Sequence, residues 1–304
     1  MASKQKMVAA LSLLNAAVVW GLVWYPYRLL ARAGVSGETA TLLTYTLAVG
    51  FGLLVAGPVW RELRTAGWWG VALALSSGWT NLGYVLAVLG GEVMRVLLLF
   101  YLAPLWTVLL SRIMLGECLN RYGYAIIALS LGGAFVMLWR PDHGLPLPQN
   151  PAEWIGLSAG MSFALTNVLV RRVQQLSINF KAIAVLFGAA LLTAVAALYH
   201  GDLAGRVQGI AAGSWQLILV VAVVLAATSF AMQYGLTLLP ANQAIILLMF
   251  ELVVAAASSY FLAGEEMGAS ETVGAVLIVT ASLFSGKLYA EPEQLKSSNQ
   301  EVVK

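Results

Sequence analysis

Apolar residues in this chain come in long runs, and polar ones gather between them. Ten stretches, Met7–Leu30, Thr39–Trp60, Trp68–Leu89, Val93–Leu115, Tyr122–Trp139, Trp154–Val170, Phe180–Tyr199, Trp215–Leu239, Asn242–Ala263 and Thr272–Tyr289, approach the roughly 20 residues that cross a bilayer as a helix. Helices are expected because a spanning segment must satisfy its own backbone in lipid, and the alternating ten-residue strands of a membrane barrel do not occur. The expected fold is all-α and membrane-embedded, with ten transmembrane helices. About 100 residues are left for loops and tails, too few for a soluble domain.

Composition agrees with this picture: 60% of the 304 residues are hydrophobic and 10% charged, where a soluble domain carries about a quarter charged. The first run follows Lys4 and Lys6 as a secretory leader would, but its length, its Trp20, Trp24 and Tyr25, and the lack of a small-residue cleavage site mark a retained helix. The positive charges set an orientation. With the N-terminus inside, the inner segments hold twelve: Lys4, Lys6, Arg61, Arg64, Arg112, Arg121, Arg171, Arg172, Lys181, Lys287, Lys296 and Lys304. The outer segments hold five, Arg28, Arg32, Arg95, Arg140 and Arg206, so both termini are expected to be cytoplasmic. The basic balance is then a matter of topology and gives no support to nucleic-acid binding. Cys118 stands alone, which excludes an intramolecular disulfide and argues against a thiolate metal site.

The two halves of the chain echo each other. Ile113–Glu117 (IMLGE) and Phe261–Glu265 (FLAGE) each close an apolar run, 148 positions apart. The same offset sets Thr80 on Thr228, Asn81 on Ser229, Arg95 on Gln243 and Ala103-Pro104 on Glu251-Leu252, and a three-residue insertion downstream brings Gly123 onto Gly274. For the first helix of each half an offset of 143 sets Trp20 on Phe163, Trp24 on Asn167 and Arg28 on Arg171. Five helices per half is an odd number, so the second half enters the membrane from the opposite side and the repeats are expected to be inverted. The expected units are residues 1–145, residues 146–290 and a cytoplasmic tail, 291–304, with the proline-rich Arg140–Pro151 ending helix five. Inverted repeats are a common plan of secondary transporters.

Ten helices, the five-plus-five duplication and the Gly-Glu pairs Gly116-Glu117 and Gly264-Glu265 resemble the drug/metabolite transporter superfamily in its EamA-type branch, and within it bacterial aromatic amino-acid exporters. The resemblance covers nearly the whole chain. It implies export of amino acids, aromatic and other apolar ones, across the cell inner (plasma) membrane by alternating access through a central cavity, with no cofactor. Protons, exchange and facilitated diffusion are all open as driving forces. Export of other metabolites or drugs would share the fold. In that family the helix before each Gly-Glu often carries a proline; Pro104 keeps it, but Leu252 stands in its place after Glu251, so the resemblance supplies no proline kink for helix nine.

Candidate chemistry follows from polar groups at membrane depth. Glu251 sits within LLMFELVVA, where a charge is costly unless it pairs, meets water or takes up a proton. It is either a carboxylate in the transport path, binding an amine or a proton, or a neutral acid that braces helices. Trp20, Trp24 and Arg28 recur every four residues on helix one, matched on helix six by Phe163, Asn167 and Arg171. Asn81 and Tyr84 on helix three, Tyr101 and Trp106 on helix four, and Gln243 at the start of helix nine complete the expected lining. Aromatic faces and amides of this kind suit a zwitterionic metabolite, and would serve equally as helix packing. Arg95, near Glu92, is expected to snorkel as an interfacial anchor or to pair as a gatekeeper. Glu117 and Glu265 are expected to reach the interface or to cap the next helix, with Glu266 and Glu271 solvated; Gly156 and Gly160 allow close helix approach. His143 and His200 fall in loops, and the absence of HExxH, GxSxG and GxxxxGK[ST] patterns argues against a membrane-embedded enzyme and against ATP hydrolysis.

Overall fold

A computed structural model describes residues 2–139, 147–199, 201, 203–263 and 268–288. Arg140, His143, His200, Gly264, Glu265, Glu266, Tyr289, Lys296, Lys304 and the whole 291–304 tail lie outside the described residues. The described residues are helical throughout, without a strand, and form ten spans: α1 (Lys4–Arg32), α2 (Gly37–Ala56), α3 (Val59–Val88), α4 (Arg95–Leu115), α5 (Arg121–Leu138), α6 (Pro151–Arg172), α7 (Ile178–Tyr199), α8 (Ala212–Leu238), α9 (Ala241–Leu262) and α10 (Ala269–Lys287).

Local chemistry sets the helix ends. Ser36, Asn120 and Asn150 take extended conformations and accept from Thr39 N, Gly123 N and Glu153 N, which caps α2, α5 and α6. Gly116 ends α4 in the left-handed region, at φ 70°. The second apolar run is shorter than its hydrophobicity suggests: α2 stops at Ala56, and Trp60 sits in a 3₁₀ turn that opens α3. The outer faces carry exposed Leu54, Val55, Leu198 and Phe261, apolar side chains that suit contact with acyl chains.

Packing between helices repeats itself. The helix α3 packs on α6 and α7, and α8 packs on α1 and α2; α4 lies on α6 and α9 on α1; α2 meets α7, and α5 meets α10. Adding or subtracting five leaves this set of pairs unchanged. The crossings are close because glycines face backbone. A Cβ on Gly188 of α7 would collide with the Ala74 carbonyl oxygen of α3, and one on Gly274 of α10 with the Gly133 carbonyl of α5.

Three spans are irregular at mid-length. In α1, Val23 N bonds to Trp20 O; in α4, Leu102 N bonds to Leu99 O and Leu105 N to Leu102 O; in α9, Leu252 N bonds to Met249 O. Each is a tightened i to i+3 turn between two α-helical segments. The turns in α4 and α9, at Tyr101 and Met249, are separated by 148 positions, the offset of the repeat. Helix nine therefore breaks without the proline that α4 has. Its break is fastened from outside instead, since Ser130 Oγ of α5 donates to Met249 Sδ at 2.8 Å.

Candidate functional site

The breaks in α4 and α9 bring Tyr101 and Glu251 together, and the Tyr101 hydroxyl donates to Glu251 Oε1 at 3.1 Å. Aromatic rings continue from this pair. Phe100 meets Tyr101 edge-on at 5.4 Å, meets Tyr84 edge-on at 5.4 Å, and stacks on Phe163 at 5.7 Å. Tyr84 is 36% exposed while Tyr101 is buried, so the chain of rings leads from an accessible surface to the carboxylate. On the far side α1 presses against α9: a Cβ on Gly21 would meet the Glu251 carbonyl and Val254, and Trp24 Nε1 donates to Ser258 Oγ at 2.9 Å. Ser258 in turn donates to Gly21 O at 3.2 Å, which ties the irregular turn of α1 to α9.

Phe100 is held where it is by a missing side chain. A Cβ on Gly160 of α6 would run into the Phe100 carbonyl oxygen, whereas one on Gly156 would meet only the tip of Val96 at 3.0 Å. Gly160→Ala is therefore expected to cost about 1–3 kcal/mol of stability by forcing α4 off α6, with Gly156→Ala milder. Thermal unfolding of the two variants in detergent checks this, and equal midpoints would contradict the geometry.

The two ends of the bundle differ. At the end where α4 finishes and α9 begins, Glu117 accepts from Ala241 N at 3.1 Å and lies 3.7 Å from Arg171 Nε. Arg171 Nη1 donates to Thr237 O at 2.6 Å, Lys181 Nζ donates to Thr237 Oγ1 at 3.1 Å, and Asn242 Nδ2 donates to Ser111 Oγ at 2.8 Å. These bonds seal α4, α6, α7, α8 and α9 together, and Ala241–Met249 is buried except for half-buried Gln243. Toward the other end the segments Val93–Phe100 and Phe250–Ser258 do not pack as Ala103–Leu115 and Ala241–Leu248 do, and Val253–Ala257 is half-buried. The bundle is closed at the Glu117 end and looser at the other.

Three of the expected site residues, Tyr84, Tyr101 and Phe163, meet around Phe100, Glu251 joins them through the Tyr101 hydroxyl, and Trp24 bonds to Ser258 of the same helix as Glu251. The others fall elsewhere. Trp20 packs between two apolar clusters. Asn81 accepts from the Tyr45 hydroxyl at 2.6 Å and braces α2 against α3. Trp106, Asn167 and Gln243 lie in the closed half. Arg95 does not snorkel: it is buried, and its Nε and Nη2 bond to the two carboxylate oxygens of Glu153 at 2.8 and 3.1 Å. Glu117 caps α9 rather than the next helix, because Asn120 already caps α5. Lys181, counted above among the inner-segment cations, lies within α7 and is fully buried against Thr237.

Phe100, Ser258, Glu153 and Lys181 were not anticipated. Only Glu153 left a readable signal, the Asn-x-x-Glu spacing of a reciprocal cap, in which Asn150 Nδ2 donates back to Glu153 Oε1 at 2.8 Å. Among the described residues no group of three or more His, Cys, Asp or Glu side chains is placed to hold a metal ion.

The chain is similar to known proteins in sequence and in fold. Residues 150–286 match the model of the EamA-like transporter family. An uncharacterized transporter of Archaeoglobus fulgidus is 27% identical over 257 residues, covering 83% of this chain and 88% of its own. A crystal structure shares the fold over 91% of this chain and 96% of its own, with a TM-score of 0.73 at 17% identity. The chain is thus a ten-helix protein whose spans are long and apolar enough to cross a membrane, and whose second half is similar to the EamA-like transporter family.

Proposed function

We propose that the protein exports amino acids, aromatic and other apolar ones, as a secondary transporter working by alternating access between two inverted five-helix halves, 1–145 and 146–290. The observation that carries this reading is the Tyr101–Glu251 pair, set at broken turns of α4 and α9 that recur at the repeat offset and reached along the rings of Tyr84 and Phe100. Broken helices at mid-membrane are where such proteins place their substrates. A carboxylate beside aromatic faces can take an ammonium group and an apolar side chain together. The exchange of helix pairs by five supports halves related by a twofold axis, and the excess of Lys and Arg on one side supports cytoplasmic termini in the plasma (inner) membrane. On that orientation the Glu117 end faces the cytoplasm, and the bonds of Glu117, Arg171 and Asn242 there support a state closed to it.

A labelled amino-acid panel in proteoliposomes, measured by uptake and by counterflow with and without a pH gradient, tests the reading. Phenylalanine, tryptophan and leucine are expected to exchange and aspartate and lysine to be excluded. The lone carboxylate among aromatic rings also suits an apolar organic cation, so a panel of such amines, transported while amino acids are not, would replace amino acids by drug-like cargo.

A further inference from the structure

Among the described residues, three side chains in the closed half have buried polar atoms without a hydrogen-bond partner: Asn167 at both amide atoms, Gln233 at Oε1 and Trp106 at Nε1. Asn167 is 0% and Gln233 1% exposed. An unpaired buried amide is costly, and native structures keep few without a use for them.

Their positions share a level. Asn167 lies one turn before Arg171 on α6, and Gln233 lies one turn before Thr237 on α8, whose hydroxyl bonds back to Gln233 O at 2.7 Å. Trp106 lies five residues before Ser111 on α4. Arg171, Thr237 and Ser111 all belong to the seal at the Glu117 end, and all three helices run into that seal C-terminal end first. At 1.5 Å of rise per residue the three groups therefore sit about 6–8 Å behind the seal, toward the membrane centre. Trp106 and Phe163 of α6, the latter one turn from Asn167, pack against the same apolar cluster, and Phe163 also reaches the Tyr101 ring system through Phe100.

We infer that Asn167, Gln233 and Trp106 line the cytoplasmic half of the translocation path, collapsed in this state, and receive the polar head of a net-neutral zwitterion there. The inference rests on the transport reading above and extends it to a second station. The chemistry of the groups selects the cargo. Trp106 Nε1 and Asn167 Nδ2 offer donors to a carboxylate, while Gln233 Oε1 and Asn167 Oδ1 offer acceptors to an ammonium. None of the three carries a charge, so none supplies a counter-charge to a net anion or cation, whereas a zwitterion brings one head for each kind of group. At the mouth Glu117 offsets Arg171, and the buried Lys181 beside Thr237 adds a cation toward which a carboxylate head would turn. Opening the seal releases Arg171 and Ala241 from Glu117 and wets the groups that are unpaired when it is shut.

Two measurements test this, and they fail separately. Asn167→Cys on a Cys118→Ala background is labelled from the Glu117 side by a charged, membrane-impermeant methanethiosulfonate. Labelling is expected to be slow, and about tenfold faster when Glu117→Gln weakens the charged cap. A thiol that stays unreactive in both proteins overturns the inference, whether or not amino acids are transported. Asn167→Leu removes the unpaired amide, so its thermal midpoint is expected to hold or rise while counterflow of a zwitterion falls about tenfold or more. Counterflow left intact would mean that the amide has no role in the path, and a fall in midpoint together with counterflow would make it a structural brace; either result overturns the assignment. Accelerated labelling in a protein that moves no amino acid would keep the path and reject the cargo.

Discussion

Glu251→Gln is expected to abolish transport driven by a pH gradient while leaving expression and thermal midpoint close to the parent. The amide is nearly isosteric with the carboxyl group and can still accept from Tyr101, so the crossing of α4 and α9 keeps its hydrogen bond. What is lost is the charge. A charge-assisted bond to a substrate ammonium contributes about 1.5–3 kcal/mol, so substrate affinity is expected to fall about ten- to a hundredfold. Glu251 also has what a proton carrier needs, since it lies at membrane depth, half-buried, with a phenol as its hydrogen-bond donor. Tyr101 touches it and Tyr84 is the next hydroxyl along the rings. Tyr101→Phe removes the bond and keeps the ring, and is expected to weaken transport less than Glu251→Gln, because the carboxylate stays. Initial rates at several internal and external pH values, with binding measured separately, check both variants. A Glu251→Gln protein with the parent's pH dependence would reduce the carboxyl group to a brace between helices.

The same site shows what can be read from residues alone. The spans were legible because each needs about 20 apolar residues, and that requirement is local. The expected repeat rests on Gly116-Glu117 and its echo at Gly264-Glu265, and the helix pairs that recur on adding five are consistent with it. The break in α9 was not, since Leu252 replaces the proline and the irregular turn is fastened by Ser130 of α5, over a hundred residues away in sequence. Helical periodicity singled out Tyr84, one turn from Asn81, and Phe163, in the helix-six stripe with Asn167; Tyr101 falls to one side of the helix-four stripe. It gave no hint that Phe100 would join them, because the cause is a glycine, Gly160, on a different helix. The amides show the limit most plainly: Asn81 and Asn167 have the same chemistry, yet one is spent on Tyr45 and the other meets no protein partner.

Position in sequence also conceals the role of Arg95, and here the largest loss of stability is expected. Glu153→Ala would leave a buried guanidinium without its carboxylate. The Glu153 carboxylate accepts from Arg95 Nε and Nη2, from Gln149 N at 2.8 Å and from Asn150 Nδ2 at 2.8 Å, and its side chain is 2% exposed. Removing one partner of such a pair costs about 3–5 kcal/mol, far more than a surface ion pair would. The double variant Arg95→Met with Glu153→Leu is expected to recover much of that loss, since an apolar pair of similar volume has no charge to desolvate. Function then separates a brace from a binding residue. The pair fastens the first segment of α4 to the start of α6, so these helices move together when the bundle changes state. A double variant that unfolds near the parent's temperature and still transports would assign Arg95 to that fastening. One that is stable but inactive would instead make the guanidinium part of the path, despite its burial beneath Leu147, whose carbonyl oxygen accepts from Nη2 at 3.0 Å.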